Sequence, residues 1–161
     1  MTISLHAASV PVFSQMLHSL SGLLHKAEAH AAEKNIDPGV LLAARLYPDM
    51  FPLLRQVQIA ADFARGVCAR LAGMEVPKVE DSQQSFADCQ ALIKYSLDFI
   101  NAVKPEQIDG QEAREIITRP GTPKEKKLTG HAYLLNYGLP QFFFHVTTAY
   151  ALLRHAGIEI G

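Results

Sequence analysis

The feature that most constrains the fold is the stretch 139–157, which combines dense aromatic residues with polar residues at buried-looking positions. Pro140 suits the first turn of a helix, where its missing N–H costs no hydrogen bond, and Gly157 suits the residue that ends one. Between these ends, one face carries apolar residues at three- and four-residue intervals: Phe142, Val146, Ala149 and Leu153. The stretch therefore predicts an amphipathic helix that must bury its apolar face against other helices.

Three earlier segments repeat apolar residues with the same spacing. They cover residues 13–27, 50–71 and 86–103, so the sequence predicts four long helices in all. Pro48 and Pro52 fit the opening turns of the second helix, with a kink at Pro52 as one possibility. The small residues along this second helix predict a close approach to its neighbours: Ala60, Ala61 and Ala64.

The pattern changes between the third and fourth helices. Residues 114–118 and 126–129 flank the turn sequence Arg-Pro-Gly-Thr-Pro at 119–123, which predicts a small β-hairpin. Residues 130–138 are also predicted to be helical, with a break or kink where Gly138 precedes Leu-Pro. The predicted fold class is therefore all-α: a four-helix bundle with a β-hairpin before the fourth helix, in one domain spanning residues 1–161.

Composition gives the compartment and excludes some partners. The chain has 161 residues, with 15 Lys and Arg against 16 Asp and Glu, so no excess charge favours binding to nucleic acid or to an anionic membrane. No signal-peptide pattern and no membrane-spanning segment is evident, which makes the cytoplasm the default location. Cys68 and Cys89 fall inside helical patterns and are interpreted as core residues rather than as a disulfide or zinc ligands.

Few residues suggest a chemical function. The sequence has no Gly-rich phosphate loop, Gly-x-Ser-x-Gly, Cys-x-x-Cys or His-Glu-x-x-His motif, so most enzyme classes lack positive support. What remains is a polar group in the predicted interior. Gln141 and His145 lie one helical turn apart, which would let both converge on one ligand or metal, and Gln56 lies at the margin of the second helix's apolar face. The third helix offers Ser96 inward but no acid or histidine, so it is expected to supply walls.

At these residues the chain resembles a known family. It is similar to the DinB-like (DinB/YfiT) superfamily of bacterial four-helix bundles, in an uncharacterised branch. The resemblance rests on the closing pattern Leu-Pro-Gln-Phe-Phe-Phe-His-Val-Thr-Thr-Ala-Tyr from residue 139, the Pro-rich start of the second helix, the hairpin and Gly157. The resemblance implies a homodimer. It also implies, for members with recognised activity, a thiol-dependent transferase or isomerase that holds a divalent metal with three histidines, one from the second helix and two from the fourth.

This chain departs from that pattern at two of the three positions. His145 matches the last family histidine, but Gln141 occupies the preceding ligand position and Gln56 is the counterpart on the second helix. An amide oxygen is a poor zinc ligand, so the sequence predicts a degenerate site that holds no zinc or nickel, with His145 the only retained candidate ligand.

Three hypotheses follow, and whether the protein is an enzyme stays open among them. The first is an uncharacterised DinB-like bundle whose interior cleft binds a small molecule. The second is a divalent-metal-assisted, thiol-dependent transferase or hydrolase with His145 as a ligand. The third is a structural or interaction protein without any ligand, in which Gln and His satisfy one another inside the bundle.

Overall fold

The computed structural model describes residues 3–161 and confirms the predicted helical bundle with its hairpin. The elements follow the chain in this order: α1 (Val10–Lys34), α2 (Pro38–Leu42), α3 (Leu53–Leu71), α4 (Phe86–Asn101), α5 (Pro105–Ile108), β1 (Glu115–Thr118), β2 (Lys126–Thr129), α6 (Gly130–Tyr133), a π-helical turn (Leu134–Gly138) and α7 (Leu139–His155). Within the described residues, no helix has the length and apolar character required to cross a membrane.

The four long helices pack around a single apolar core. Helix α3 lies between α4 and α7, and α1 closes the bundle by packing against the same two helices. Apolar side chains from all four helices are almost completely buried there: Phe13, Leu17, Leu20, Leu24, Val57, Phe86, Ile93, Phe142 and Leu153. The rings of Phe13 and Phe142 meet edge to face with centroids 4.8 Å apart, which fixes α1 against α7.

Local capping signals determine where several helices begin and end. The hydroxyl of Ser85 accepts from the backbone N–H of Asp88, and the Asp88 carboxylate accepts from the backbone N–H of Ser85, which is the capping box at the start of α4. Asn35 ends α1 in the left-handed conformation with φ 54°. Asp37 then caps α2 by accepting from the backbone N–H of Gly39 at 2.8 Å.

The second long helix starts later than its sequence pattern predicts. Helix α3 begins at Leu53, and Pro52 is the extended residue before it, with ψ 167°. The Pro52 carbonyl accepts the backbone N–H of Gln56 at 3.0 Å and so opens the helix. Pro48 and Met50 therefore lie outside α3, and no kink arises at Pro52 because that residue precedes the helix.

In place of the predicted break or kink before the last helix, the chain contains a π-helical turn and no break. The chain stays helical from α6 through the π-helical turn into α7, with the N–H of Leu139 bonded to the carbonyl of Leu134. This i to i−5 bond inserts one extra residue into the helix, and Pro140 then falls in the first turn of α7. Glycine is required at position 138 because a Cβ there would clash with a methyl of Val67 on α3, at 2.7 Å. The end of the π-helical turn can therefore lie close against α3.

The hairpin forms as predicted. Strands β1 and β2 pair antiparallel, with Ile116 opposite Leu128. Ile116 and Thr118 are buried, so this face of the hairpin covers part of the bundle. The turn between the strands begins at Arg119, directly after the last paired residue of β1.

Candidate functional site

A buried hydrogen bond joins two of the predicted site residues across the α3–α7 interface. Nδ1 of His145 lies 2.7 Å from Oε1 of Gln56, and the two residues are 7% and 1% exposed. The side-chain amide nitrogen of Gln56 donates to the backbone carbonyl of Phe51 at 3.0 Å. Gln56 lies in the first turn of α3 and Phe51 just before that helix, so the local chain fold anchors the amide that meets His145.

This arrangement determines which nitrogen of the His145 ring carries the proton. The amide nitrogen of Gln56 can only donate, so it faces the carbonyl of Phe51 and leaves Oε1 for the imidazole. Oε1 can only accept, and Nδ1 must therefore be the protonated nitrogen. In the neutral ring, Nε2 then keeps its lone pair, and no described residue hydrogen-bonds to it.

Burial keeps the imidazole neutral. The pKa of His145 is lowered mainly because burial disfavours the charged ring and further because the positive charge of Arg55 lies nearby. Aromatic neighbours also fix the ring plane: Phe63 stacks on it with centroids 6.0 Å apart, and Phe144 meets it edge-on at 5.1 Å. The result is an oriented, neutral imidazole with one available acceptor.

Gln141 lies at the mouth of this site rather than in the bundle interior. Its side chain is exposed and makes no hydrogen bond to Gln56 or to His145. All three residues nevertheless line one cavity of about 620 Å³, here called the His145 cleft. The expected interior position is wrong because the buried face of α7 is narrower in its first turn than the stripe from 141 to 152 suggests.

The residues present do not fit a three-ligand metal site. Gln56 Oε1 sits on the Nδ1 side of the imidazole, whereas the free lone pair is on Nε2, so these two donors cannot converge on one ion. Gln141 adds only an amide, and no group of three or more His, Cys, Asp and Glu side chains converges anywhere in residues 3–161. A protein without bound zinc or nickel remains a prediction for elemental analysis.

A second group of polar residues was not found from the sequence. Arg65 on α3 is 1% exposed, and its guanidinium donates to the hydroxyl of Ser96 and forms an ion pair with Asp62. The sequence analysis expected the helix that carries Ser96 to supply only walls. Ser96 instead accepts a hydrogen bond from this buried cation and donates one to the Leu92 carbonyl at 2.7 Å. One sequence signal could have indicated that Arg65 is buried: it directly follows Ala64, within a run of small core residues.

Arg65 lines a cavity of about 430 Å³, here called the basic cavity. Three further cationic side chains line it, from α3, from the connection after α3 and from the hairpin: Arg70, Lys78 and Arg119. An aromatic wall is formed by Tyr133, which directly precedes the π-helical turn, and Tyr137, which lies within it. The basic cavity shares Asp62, Phe63 and Arg119 with the His145 cleft, so the two are adjacent.

The cysteines lie away from both cavities, in the core as predicted. Burial raises the pKa of Cys68 to about 12. Burial, with a further contribution from the charge of Asp88, raises the pKa of Cys89 to about 11. Neither thiol ionises near neutral pH, so the chain offers no reactive thiolate of its own among these residues.

The four packed helices, with the hairpin before the last of them, define a DinB-like helical bundle. The chain is similar to the crystal structure of a DinB family member protein from Shewanella denitrificans, with a TM-score of 0.91 and 38% sequence identity over 98% of this chain and 88% of that chain. A family model described as Domain of unknown function (DUF1993) matches residues 5–161, and the chain belongs to that family. No curated protein matches the chain. The resemblance inferred from the closing sequence pattern is confirmed.

Proposed function

We propose that the His145 cleft binds a small molecule that donates a hydrogen bond, or a proton, to Nε2 of His145. The observation that carries this proposal is the 2.7 Å contact between Gln56 and His145, with the Gln56 amide fixed by the Phe51 carbonyl. That contact makes Nδ1 the protonated nitrogen and leaves Nε2 as an acceptor without a protein partner among the described residues. Nε2 is not among the fully buried atoms, and His145 lines the cleft, so a donor on a ligand in the cleft can form a hydrogen bond with it.

The cleft has the composition of a small-molecule site. A cavity of about 620 Å³ is within the usual size range for such sites. Five of its lining residues are apolar, and the others are polar or charged: Met50, Phe51, Ile59, Phe63 and Phe144 are the apolar members. This apolar surface beside one oriented acceptor favours a ligand that has an apolar body and one hydroxyl, thiol or amine group.

The substitution His145→Asn provides a sharp test. The asparagine amide nitrogen can replace Nδ1 as the donor to Gln56, whereas nothing replaces Nε2. The variant should therefore keep the fold and the contact to α3 while losing the acceptor in the cleft. Binding that depends on Nε2 is separated in this way from binding that depends only on the shape of the cavity.

We would measure thermal shifts with phenol, benzyl mercaptan and benzylamine, using toluene as the matched compound without a donor. At least one of the three donors should raise the melting temperature of the wild type, and it should raise that of His145→Asn much less. An equal shift with toluene, or no shift with any compound, would refute the proposal. The latter result would favour a structural protein without a ligand.

A divalent ion forms the final arm of this assay. The proposal expects the same shifts in the presence of a chelator, because no described group of residues fits a three-ligand metal site. A shift that appears only with added zinc or nickel would contradict that expectation. It would favour the metal-assisted transferase or hydrolase, with His145 as a ligand.

A further inference from the structure

The basic cavity contains more positive charge than its own carboxylate can balance. Arg65, Arg70, Lys78 and Arg119 line it, and Asp62 is the only acidic residue among the lining residues. Asp62 pairs with Arg65. Within residues 3–161, none of the other three cations has a carboxylate within ion-pairing distance.

Arg65 makes this imbalance costly because it is buried. Its guanidinium uses Ser96 and Asp62 as acceptors, but Nε is buried and has no hydrogen-bond partner among the described residues. A guanidinium carries five N–H donors, so these two acceptors leave hydrogen-bonding capacity unused. A buried charge with an unused donor is unfavourable, and a negative charge nearby in the cavity would offset part of this cost without contacting Nε.

Arg70 also faces the cavity without a counter-ion. It is half-buried and donates to the carbonyl of Gly66 at 3.1 Å and to the phenol oxygen of Tyr133 at 3.2 Å. Both acceptors are neutral, so they position the guanidinium without cancelling its charge. A Cβ on residue 66 would lie 2.6 Å from Nη1 of Arg70, so glycine at that position leaves room for the guanidinium against α3.

Aromatic rings connect the basic cavity to the His145 cleft. Phe63 stacks on His145, Tyr137 lies next to Phe63 with centroids 5.9 Å apart, and Tyr133 stacks on Tyr137 at 5.8 Å. These rings form a continuous apolar wall beside the cationic side chains. Such a surface accommodates a planar or apolar organic group attached to the anion.

We infer that the basic cavity binds the carboxylate or phosphate group of a small organic anion, with Arg70 as its principal partner and the buried Arg65 adding positive charge behind it. Guanidinium groups suit both anions because their planar fork of donors can form two parallel hydrogen bonds to one carboxylate or phosphate. Lys78 and Arg119, which are exposed at the rim, add charge that attracts the anion. The inference goes beyond the His145 cleft and stands whether or not any ligand reaches His145.

The test is a titration of the full chain with two anionic probes, benzoate and phenyl phosphate, followed by amide chemical shifts at constant ionic strength. Methyl benzoate, which has neither a charge nor a hydrogen-bond donor, is the neutral probe of similar size. At least one of the two anions should shift the amides of Gly66, Tyr133 and Tyr137 with saturation, and methyl benzoate should not. The two anions also distinguish a carboxylate site from a phosphate site.

Arg70→Gln is the diagnostic variant and Arg154→Gln is its matched control. Each removes one positive charge, but Arg154 is exposed near the end of α7 and does not line the cavity. The first variant should weaken anion binding at least tenfold, because hydrogen bonds to a charged group are lost, and the second by less than twofold. Equal weakening in both variants would refute the site, since it would mean that only net charge matters.

Two further outcomes complete the test. If Arg70→Gln does not fold, Lys78→Gln replaces it, because Lys78 is exposed and its side chain makes no hydrogen bond to the described residues. That variant should weaken anion binding about threefold, and an unchanged affinity would count against the site. The thermal-shift assay reports on Nε2 of His145 and the anion titration reports on Arg70, so a failure of the His145 cleft and a failure of the basic cavity give different results.

Discussion

Replacing Gly138 by alanine should destabilise the protein by about 1–2 kcal/mol, although alanine is the better helix former. The added Cβ would lie 2.7 Å from Cγ2 and 3.3 Å from Cγ1 of Val67, which is completely buried on α3. Overpacking of this kind typically costs about 1–3 kcal/mol. The gain in helix propensity, about 0.5–1 kcal/mol, offsets only part of it.

A second substitution tests whether Val67 is the cause. Val67→Ala removes two buried methyl groups, which should cost about 1.6 kcal/mol plus a cavity contribution. In the double variant the Cβ at residue 138 occupies part of the space that Val67 vacates. The double variant should therefore be more stable than the sum of the two single effects predicts, by about 1 kcal/mol.

Chemical denaturation of the four proteins in this cycle measures the coupling directly. Gly22→Ala provides the matched control, since Gly22 is a helical glycine in α1 and a Cβ there would meet nothing within 4 Å. It should stabilise the protein by about 0.5–1 kcal/mol. If Gly138→Ala behaves like Gly22→Ala, or if its effect adds simply to that of Val67→Ala, α7 does not approach α3 as described.

Three further predictions concern the core, the metal and pH. Ala64→Leu should cost about 1–3 kcal/mol in chemical denaturation because Ala64 is fully buried in α3, and a neutral effect would contradict that packing. Protein purified without added metal should carry no stoichiometric zinc or nickel, and elemental analysis that finds either at one per chain would refute this. The stability advantage of the wild type over His145→Asn should be complete above about pH 6.5 and decrease below it, by at most about 1.4 kcal/mol per pH unit, because the pKa of His145 is lowered on folding. Denaturation at pH 7.5 and 5.5 checks the sign, and a growing advantage at low pH would contradict it.

Much of the fold was accessible from local sequence signals. The apolar spacing of the long helices, the capping box at Ser85 and the turn sequence of the hairpin each depend on residues within a few positions of one another. The start of α3 was predicted too early, and the π-helical turn was anticipated only as a break or kink at Gly138. The turn depends on the contact between Gly138 and Val67, which are distant in sequence and so leave no local pattern.

The candidate sites were accessible only in part. Family resemblance pointed to Gln56 and His145, but the orientation of their amide and imidazole depends on the Phe51 carbonyl, which the sequence does not reveal. Gln141 was placed too deep because helical spacing does not say how far a buried face extends. Arg65 was overlooked because arginine is rarely buried, and its acceptors come partly from another helix.

The most direct test of the central claim is the protonation state of the His145 ring, observed through its two nitrogen chemical shifts in long-range proton–nitrogen correlation spectra at pH 7.5. The Gln56 contact requires a proton on Nδ1, and the lowered pKa of His145 keeps the ring neutral, with a free lone pair on Nε2. Gln56→Met, which removes the acceptor, should shift the population toward the other tautomer. A proton on Nε2 in the wild type, or a ring that is charged at that pH, would contradict the proposed acceptor in the cleft.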